Sequence, residues 1–337
     1  MVLSMVARIP IALALVSLAL AQSDKSKLIK VQVSEVIVPV TVTDEKGRFV
    51  SNLEAKDFRI LDEGKDQRIE FFSRDRNQPV VVGFLIDLSN NTRIQWKHFQ
   101  DAAIELVLNL LPGDKKYSGY LISYSNEPEL QVNTTTQSDQ LVEKLTKMKP
   151  GGGAALYDAI YMACMHRALV DGEPYDPRRV LIVIGDGHDT ASKKSLDEVI
   201  EIAQRNLVTI YGISTASFGF TREGDENLQR LTSETGGRLV YPLNDLYSDV
   251  DGYLSHPSDD GNYAMAVGMG AYASEVSAGI FHAIAAIAGE VTTQYILRYV
   301  PDTGPASAKL FRNIKIVVPD LPQAKVRFRK GYYPFAP

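Results

Sequence analysis

Apolar and polar residues change their rhythm several times along the chain, and each rhythm names an element. From Val31 to Asp44 they alternate (Val31, Val33, then Val36, Val38, Val40, Val42), the two-residue period of a half-buried strand. Glu45-Lys46-Gly47-Arg48 makes a turn, and two further short strands are expected at Phe58–Leu61 and Gln67–Phe72. Val80–Ile86 is instead a continuous apolar run, as expected of a strand buried on both faces of a parallel sheet. A helical face follows (Phe99, Ala102, Ala103, Leu106, Leu110), closed by Pro112-Gly113. The alternation then repeats. Strands are expected at Tyr117–Tyr124, Val180–Ile184, Leu207–Ile213 and Arg238–Tyr241, with helices around Leu156–Cys164, after the capping box of Ser195 and Glu198, and at Asn227–Glu234 before Gly236-Gly237.

Strands alternating with helices predict an α/β, Rossmann-like domain with a mainly parallel sheet covered by helices on both faces. We place it at residues 78–244. The β-rich stretch 30–77 is too small to stand alone, and strands expected at Gln294–Val300, Phe311–Val318 and Ala324–Arg329, within residues 291–334, are offered to complete a small β-sandwich-like unit. Between them, 245–290 reads as a surface loop (Asn244–Met269) and a connector helix with Val276, Ile280, Ile284 and Ile287 on one face. The first 21 residues have a basic start, an apolar stretch from Ile9 to Leu20 and the small-x-small end Ala19-Leu20-Ala21. That stretch is too short to span a bilayer, and a cleaved secretory signal is the expectation, hence export to periplasm, cell surface or medium with no stable membrane span afterwards.

Charge narrows the partners. Lys and Arg number 36 against 41 Asp and Glu, a net charge of −5 with no basic block, which gives nucleic acid no footing. The one cysteine, Cys164, cannot close an internal disulfide and falls on an apolar helix face. The five histidines lack zinc-type spacing, and no nucleophile elbow or phosphate loop occurs. Gly268-Met269-Gly270-Ala271-Tyr272-Ala273 imitates a dinucleotide fingerprint, but no strand is expected before it.

Open α/β sheets place their sites beyond the carboxyl ends of the strands. There the chain offers Asp87-Leu88-Ser89-Asn90-Asn91, the glycine-rich Gly151-Gly152-Gly153-Ala154-Ala155-Leu156-Tyr157-Asp158 and Gly185-Asp186-Gly187-His188-Asp189. Topology brings Asp87, Ser89, Asn91 and Asp186 toward one edge, a set of hard oxygen donors suited to Mg²⁺, Mn²⁺ or Ca²⁺. The competing reading for Asp87 and Asp186 is capping and strand-end hydrogen bonding; for Ser89 it is an N-cap. Asp158 is expected to make an edge hydrogen bond, and His188 to be a solvated loop residue.

These three segments together resemble the von Willebrand factor type A domain and its metal-ion-dependent adhesion site. With Thr41–Asp44, Asp57-Phe58, Asp62–Gly64 and Arg329–Tyr333 added, the chain is similar to the bacterial, Acidobacteria-type branch of that family. The resemblance implies a Rossmann-type fold that binds partners rather than catalysing reactions. It implies that Asp87, Ser89, Asn91, Ala154 and Asp186 hold the five ligand positions. Two depart from the pattern: Asn91 stands for a serine, and Ala154, for the usual threonine, has no side-chain donor. The implied function is an exported interaction or adhesion module that takes an acidic side chain of a protein partner, with or without a divalent cation. Two alternatives stay open, a metal-free scaffold protein and a metal-assisted hydrolase using Asp87 and Asp186.

Overall fold

The computed structural model describes residues 35–74, 79–93, 96–113, 116–165, 177–215, 222–242, 269–301 and 311–334. The apolar stretch Ile9–Leu20, the expected loop Asn244–Met269 up to residue 268, and His166 and His256 therefore lie outside the described residues, while Met269 opens a helix. Fourteen strands and six α-helices are described, in three sheets.

The central sheet has six strands in the order β10-β9-β8-β5-β6-β7. β5 (Val80–Asp87) is entirely buried, as its uninterrupted apolar run requires, and pairs in parallel with β6 (Tyr117–Tyr124) on one side and β8 (Arg178–Gly185) on the other. β9 (Val208–Ser214) and β10 (Leu239–Val240) extend it in parallel. β7 (Pro128–Thr135) closes the far edge antiparallel, a strand the polar Glu129-Leu130-Gln131 run conceals in the sequence.

One face of the sheet carries α1 (Trp96–Leu110), α2 (Ser138–Lys147) and α6 (Met269–Thr293), packed through Phe99, Leu106, Leu141, Ile284 and Ile287 onto Val82, Phe84 and Ile182. The other carries α3 (Leu156–Met165), α4 (Leu196–Arg205) and α5 (Arg222–Thr235), packed through Leu156, Ile160, Val199 and Leu228 onto Leu85, Leu181 and Val183. The α/β, Rossmann-like architecture is the one the alternation predicts. The apolar face of α6 rests beside α1 in the helical layer of the sheet, so this segment packs as a helix of the α/β domain as much as a connector. The Gly268–Ala273 imitation of a dinucleotide motif runs into the start of that helix.

The outer β layers are antiparallel, built from both ends of the described chain. β1 (Val36–Thr43) lies between β11 (Tyr295–Tyr299) and β13 (Lys325–Arg327), with β4 (Phe71–Ser73) beyond β11. The other sheet runs β14 (Gly331–Tyr332), β12 (Arg312–Val317), β2 (Arg59–Asp62), β3 (Lys65–Gln67). The single strand expected at Gln67–Phe72 is thus two strands in two sheets. Val38, Val40, Ile60, Leu297, Ile314 and Tyr332 fill the space between. At the centre Asp62, fully buried, accepts Arg312 Nε (3.0 Å) and Nη2 (2.8 Å), Tyr299 Oη (3.1 Å) and Tyr332 Oη (2.8 Å).

A second polar knot joins this layer to the amino-terminal ends of the central strands. Gln294, just past α6, donates to Thr41 Oγ1 (3.2 Å) and Tyr211 Oη (2.9 Å) and accepts from Arg178 Nη1 (2.6 Å). Glu290, fully buried, takes Arg327 in a forked pair at 3.1 and 2.9 Å.

Candidate metal centre

The opposite, carboxyl-terminal edge of the sheet is built differently. Asp87 is the last residue of β5 and is buried. Its Oδ1 accepts the Ser89 backbone N–H at 2.7 Å, while Oδ2 is buried with no hydrogen-bond partner among the described residues. Ser89 stands at the N-cap position of a single 3₁₀ turn, Asn90–Thr92, yet its hydroxyl makes no cap bond; it is buried beside Asp87 without a hydrogen bond of ordinary geometry among the described residues. Thr92 ties the turn down instead, donating to the carbonyls of Ser89 (3.0 Å) and Asp87 (3.3 Å). The capping role that competed for Ser89 is therefore not the one it plays.

Asp186 follows β8, next to β5 in the sheet. Its Oδ2 receives Asn91 Nδ2 at 2.9 Å and faces His188 Nδ1 at 3.1 Å; its Oδ1 accepts the His188 N–H at 3.0 Å. The sequence reading of His188 as a solvated loop residue needs correction: the ring is folded back against the carboxylate, three-quarters buried. The turn closes so tightly because Gly187 (φ +80°) lies against the Gly224 carbonyl at the start of α5, where any Cβ would collide.

The structure thus brings Asp87, Ser89, Asn91 and Asp186 to one edge. Burial, reinforced by the nearby Asp186 carboxylate, pushes the Asp87 carboxyl up to about 7. Two carboxylates and a hydroxyl, two of their oxygens orphaned in a dry setting, are a donor set that a hard divalent cation fits. Among the described residues no group of three or more His, Cys, Asp or Glu is arranged for metal binding, so any ion here is held in part by neutral oxygens.

The glycine-rich loop packs over this edge. Gly151 N–H donates to the Leu88 carbonyl (2.6 Å), and Asn90 N–H to that of Gly152, whose φ of +106° suits glycine. Gly153 N–H is held by Asn126 Oδ1 at 2.7 Å. Asp189 accepts from Tyr157 N–H (2.9 Å) and Ser192 Oγ (2.6 Å), fixing the start of α3. Asp158 turns to the Lys193 and Lys194 amides, the edge hydrogen bond expected of it.

The match to known families agrees with this geometry. The family model of the von Willebrand factor type A domain matches residues 82–251, half of the chain. The chain belongs to the von Willebrand factor type A domain family. Domains of this family are typically interaction and adhesion modules rather than enzymes. No curated protein matches. Solved structures with a similar fold include BatB from Bacteroides thetaiotaomicron, at 16% identity over 58% of this chain and 99% of that one, with a TM-score of 0.39. An aerotolerance-related membrane protein from Bacteroides fragilis shares 18% identity over 48% of this chain and 90% of its own, TM-score 0.39. Proximal thread matrix protein 1 from the mussel byssus shares 12% over 67% and 49%, TM-score 0.44.

Within this type A domain, Ala154 occupies the loop position for which the sequence pattern expects threonine. Its methyl is buried, its N–H donates to Thr190 Oγ1 (3.0 Å), and its carbonyl accepts from Thr190 and Ala191. Thr190 and Asn126 therefore hold the loop in place without supplying a side-chain oxygen at position 154. Tyr124, a buried tyrosine at the end of β6, also reaches this edge, and a single-sequence reading gives no sign of it.

Proposed function

We propose that this type A domain is an exported protein-interaction module that takes an acidic side chain of a protein partner through a divalent cation at the Asp87–Asp186 edge. One observation carries the reading: among the described residues, Asp87 Oδ2 and Ser89 Oγ are buried beside Asp186 and make no hydrogen bond of ordinary geometry, at the edge where the fold gathers its loops. A buried polar group without a partner costs roughly 1–3 kcal/mol, and more when charged. A folded protein that keeps two of them side by side gains something from their staying free.

Asp87, Ser89 and Asp186 would hold the ion, Mg²⁺ or its relatives Mn²⁺ and Ca²⁺. Asn91 steadies Asp186 in the arrangement seen here, and a half-turn of its amide would present its oxygen instead. When bound, the ion supplies a positive centre able to accept a partner carboxylate. The chain's own residues set the rest: the Ser89 amide fixes Asp87, while Asn91 and His188 fix Asp186. The leader Ile9–Leu20 supports export.

Calorimetric titration of the protein with Mg²⁺, Mn²⁺ and Ca²⁺, with Asp87→Ala alongside, tests this. Saturable binding lost in the variant, followed by chelator-sensitive capture of an aspartate- or glutamate-bearing peptide, is the expected result. No binding at millimolar ion removes the cation from the mechanism. The metal-free scaffold reading then takes over, and Ala154 is the residue that favours it. Hydrolysis of simple ester or phosphate substrates that disappears in Asp186→Ala would instead revive the enzymatic alternative.

A further inference from the structure

We infer that Tyr124 is a positioning residue for the ion, its hydroxyl the hydrogen-bond donor behind the free oxygen of Asp87. The inference rests on the ion-assisted reading above and adds a residue to it. Tyr124 ends β6 in register with Asp87, which ends the adjacent β5, so the two side chains leave the sheet on the same face. Tyr124 is 1% exposed, and its buried hydroxyl, close enough to the Asp87 carboxylate to interact with it, makes no hydrogen bond of ordinary geometry among the described residues.

Where that hydroxyl lies is set by a glycine on the strand beyond. A Cβ placed on Gly185 of β8 would sit 2.5 Å from Tyr124 Oη and 3.0 Å from Asp87 Oδ2. The phenol therefore crosses β5 to reach β8, and it fits only because residue 185 has no side chain. Two orphaned atoms face the same glycine: one can donate, the other can only accept while ionised.

Tyr120, four residues earlier on β6, shows that packing a hydroxyl over a glycine is not by itself the point. Its hydroxyl lies over Gly83 as Tyr124 lies over Gly185, and it is satisfied by the Ala163 carbonyl at 3.3 Å. Tyr124 has no such carbonyl, and what its hydroxyl faces is the Asp87 carboxylate. A tyrosine hydroxyl carries its proton at neutral pH, so it faces the carboxylate as a donor. Its ring is gripped by the apolar cluster of Leu85, Leu156 and Val183. A donor held that firmly fixes the carboxylate's rotation, as outer hydrogen bonds do for metal ligands generally.

The test is Tyr124→Phe in the full chain, with Tyr120→Phe as control. Manganese affinity is read by calorimetry, and the midpoint of thermal unfolding is read in chelator. Tyr124→Phe is expected to weaken Mn²⁺ binding roughly 10-fold or more, with the unfolding midpoint in chelator unchanged or raised. Tyr120→Phe should leave the affinity within about two-fold, since its hydroxyl donates to the Ala163 carbonyl of α3. Wild-type affinity in Tyr124→Phe would overturn the inference and leave the ion site standing. So would a loss of affinity matched by a lower midpoint in chelator, which marks a merely structural tyrosine. Failure of the wild-type protein to bind any of the three ions would overturn both readings together.

Discussion

Replacing Asp87 by asparagine keeps the shape of the side chain and its acceptor for the Ser89 amide but removes the charge, which isolates what burial of that charge costs. The folded-state carboxyl is raised from 3.8 to about 7 by burial and by Asp186. A carboxyl whose folded pKa lies above its unfolded one binds its proton more tightly in the native state. Its contribution therefore stabilises at low pH and is lost as pH rises from about 4 through 7. At pH 5 the folded group is two units below its midpoint while the unfolded group is already ionised. With each unit worth about 1.36 kcal/mol, wild type should lose roughly 3 kcal/mol from this one residue between pH 5 and pH 8. Asp87→Asn loses none of it. Urea unfolding of both proteins in chelator at the two pH values measures the difference directly, because every other titrating group is shared. The variant should exceed wild type by roughly 1–2 kcal/mol at pH 5, where the unfolded carboxyl is already ionised, and by roughly 4 kcal/mol at pH 8. Saturating Mn²⁺ at pH 8 should close the gap by stabilising wild type alone. A wild-type-minus-variant difference that stays constant from pH 5 to 8 would refute the reasoning, since it would mean that Asp87 is solvated or already neutralised by the protein.

Three further outcomes follow from neighbouring geometry. Asp62→Ala leaves the Arg312 guanidinium and two tyrosine hydroxyls buried without their acceptor, and should cost about 3–5 kcal/mol in urea unfolding. Gly185→Ala should destabilise the protein by at least about 2 kcal/mol, and by less in a Tyr124→Phe background. There the oxygen nearest the new methyl is gone, and the thermal midpoints of the four proteins give the coupling. Ala154→Thr returns a hydroxyl to the loop and should tighten Mn²⁺ binding about 5- to 10-fold, at a packing cost of about 1–3 kcal/mol that calorimetry reads separately from affinity.

Much of this arrangement is legible in the order of residues, and the exceptions share a cause. The buried strand Val80–Asp87 and the strand end at Asp186 announce themselves because a two-sided strand must be apolar until it leaves the sheet. The capping box at Ser195 and Glu198 is where the spacing puts it, with Glu198 accepting the Ser195 N–H at 2.8 Å. β7 escapes notice because an edge strand half open to water has no apolar face to show. The break between β3 and β4 escapes because a change of sheet leaves no mark on the alternation. His188 and Tyr124 escape for a deeper reason. What each does depends on a contact far away in sequence: the Gly187 turn that folds His188 back onto Asp186 closes against Gly224 of α5, and Tyr124 needs a missing side chain sixty-one positions further on, at Gly185. Spacing within one segment carries no trace of a neighbour across the sheet.

The contrast between the two ends of the central sheet carries the functional argument furthest. At the amino-terminal end, buried polar groups close on one another: Gln294 takes up Arg178, Tyr211 and Thr41, and Glu290 takes up Arg327. The unpartnered nitrogens found away from the carboxyl edge among the described residues belong to Arg178, Arg298 and Arg329, and each of these arginines is engaged through another atom or over a ring. At the carboxyl-terminal end the orphans are of another kind. Asp87 Oδ2 and Ser89 Oγ after β5, Tyr124 Oη at the end of β6, Thr215 Oγ1 after β9 and Asp225 Oδ1 on α5 are all oxygen, all buried and without a hydrogen bond of ordinary geometry among the described residues. The same chain that satisfies a four-donor network at Asp62 is able to satisfy its polar groups wherever stability alone decides the matter. Leaving two carboxylates and three hydroxyls open at this end is the pattern that the proposed cation, with the Tyr124 hydroxyl behind Asp87, would complete.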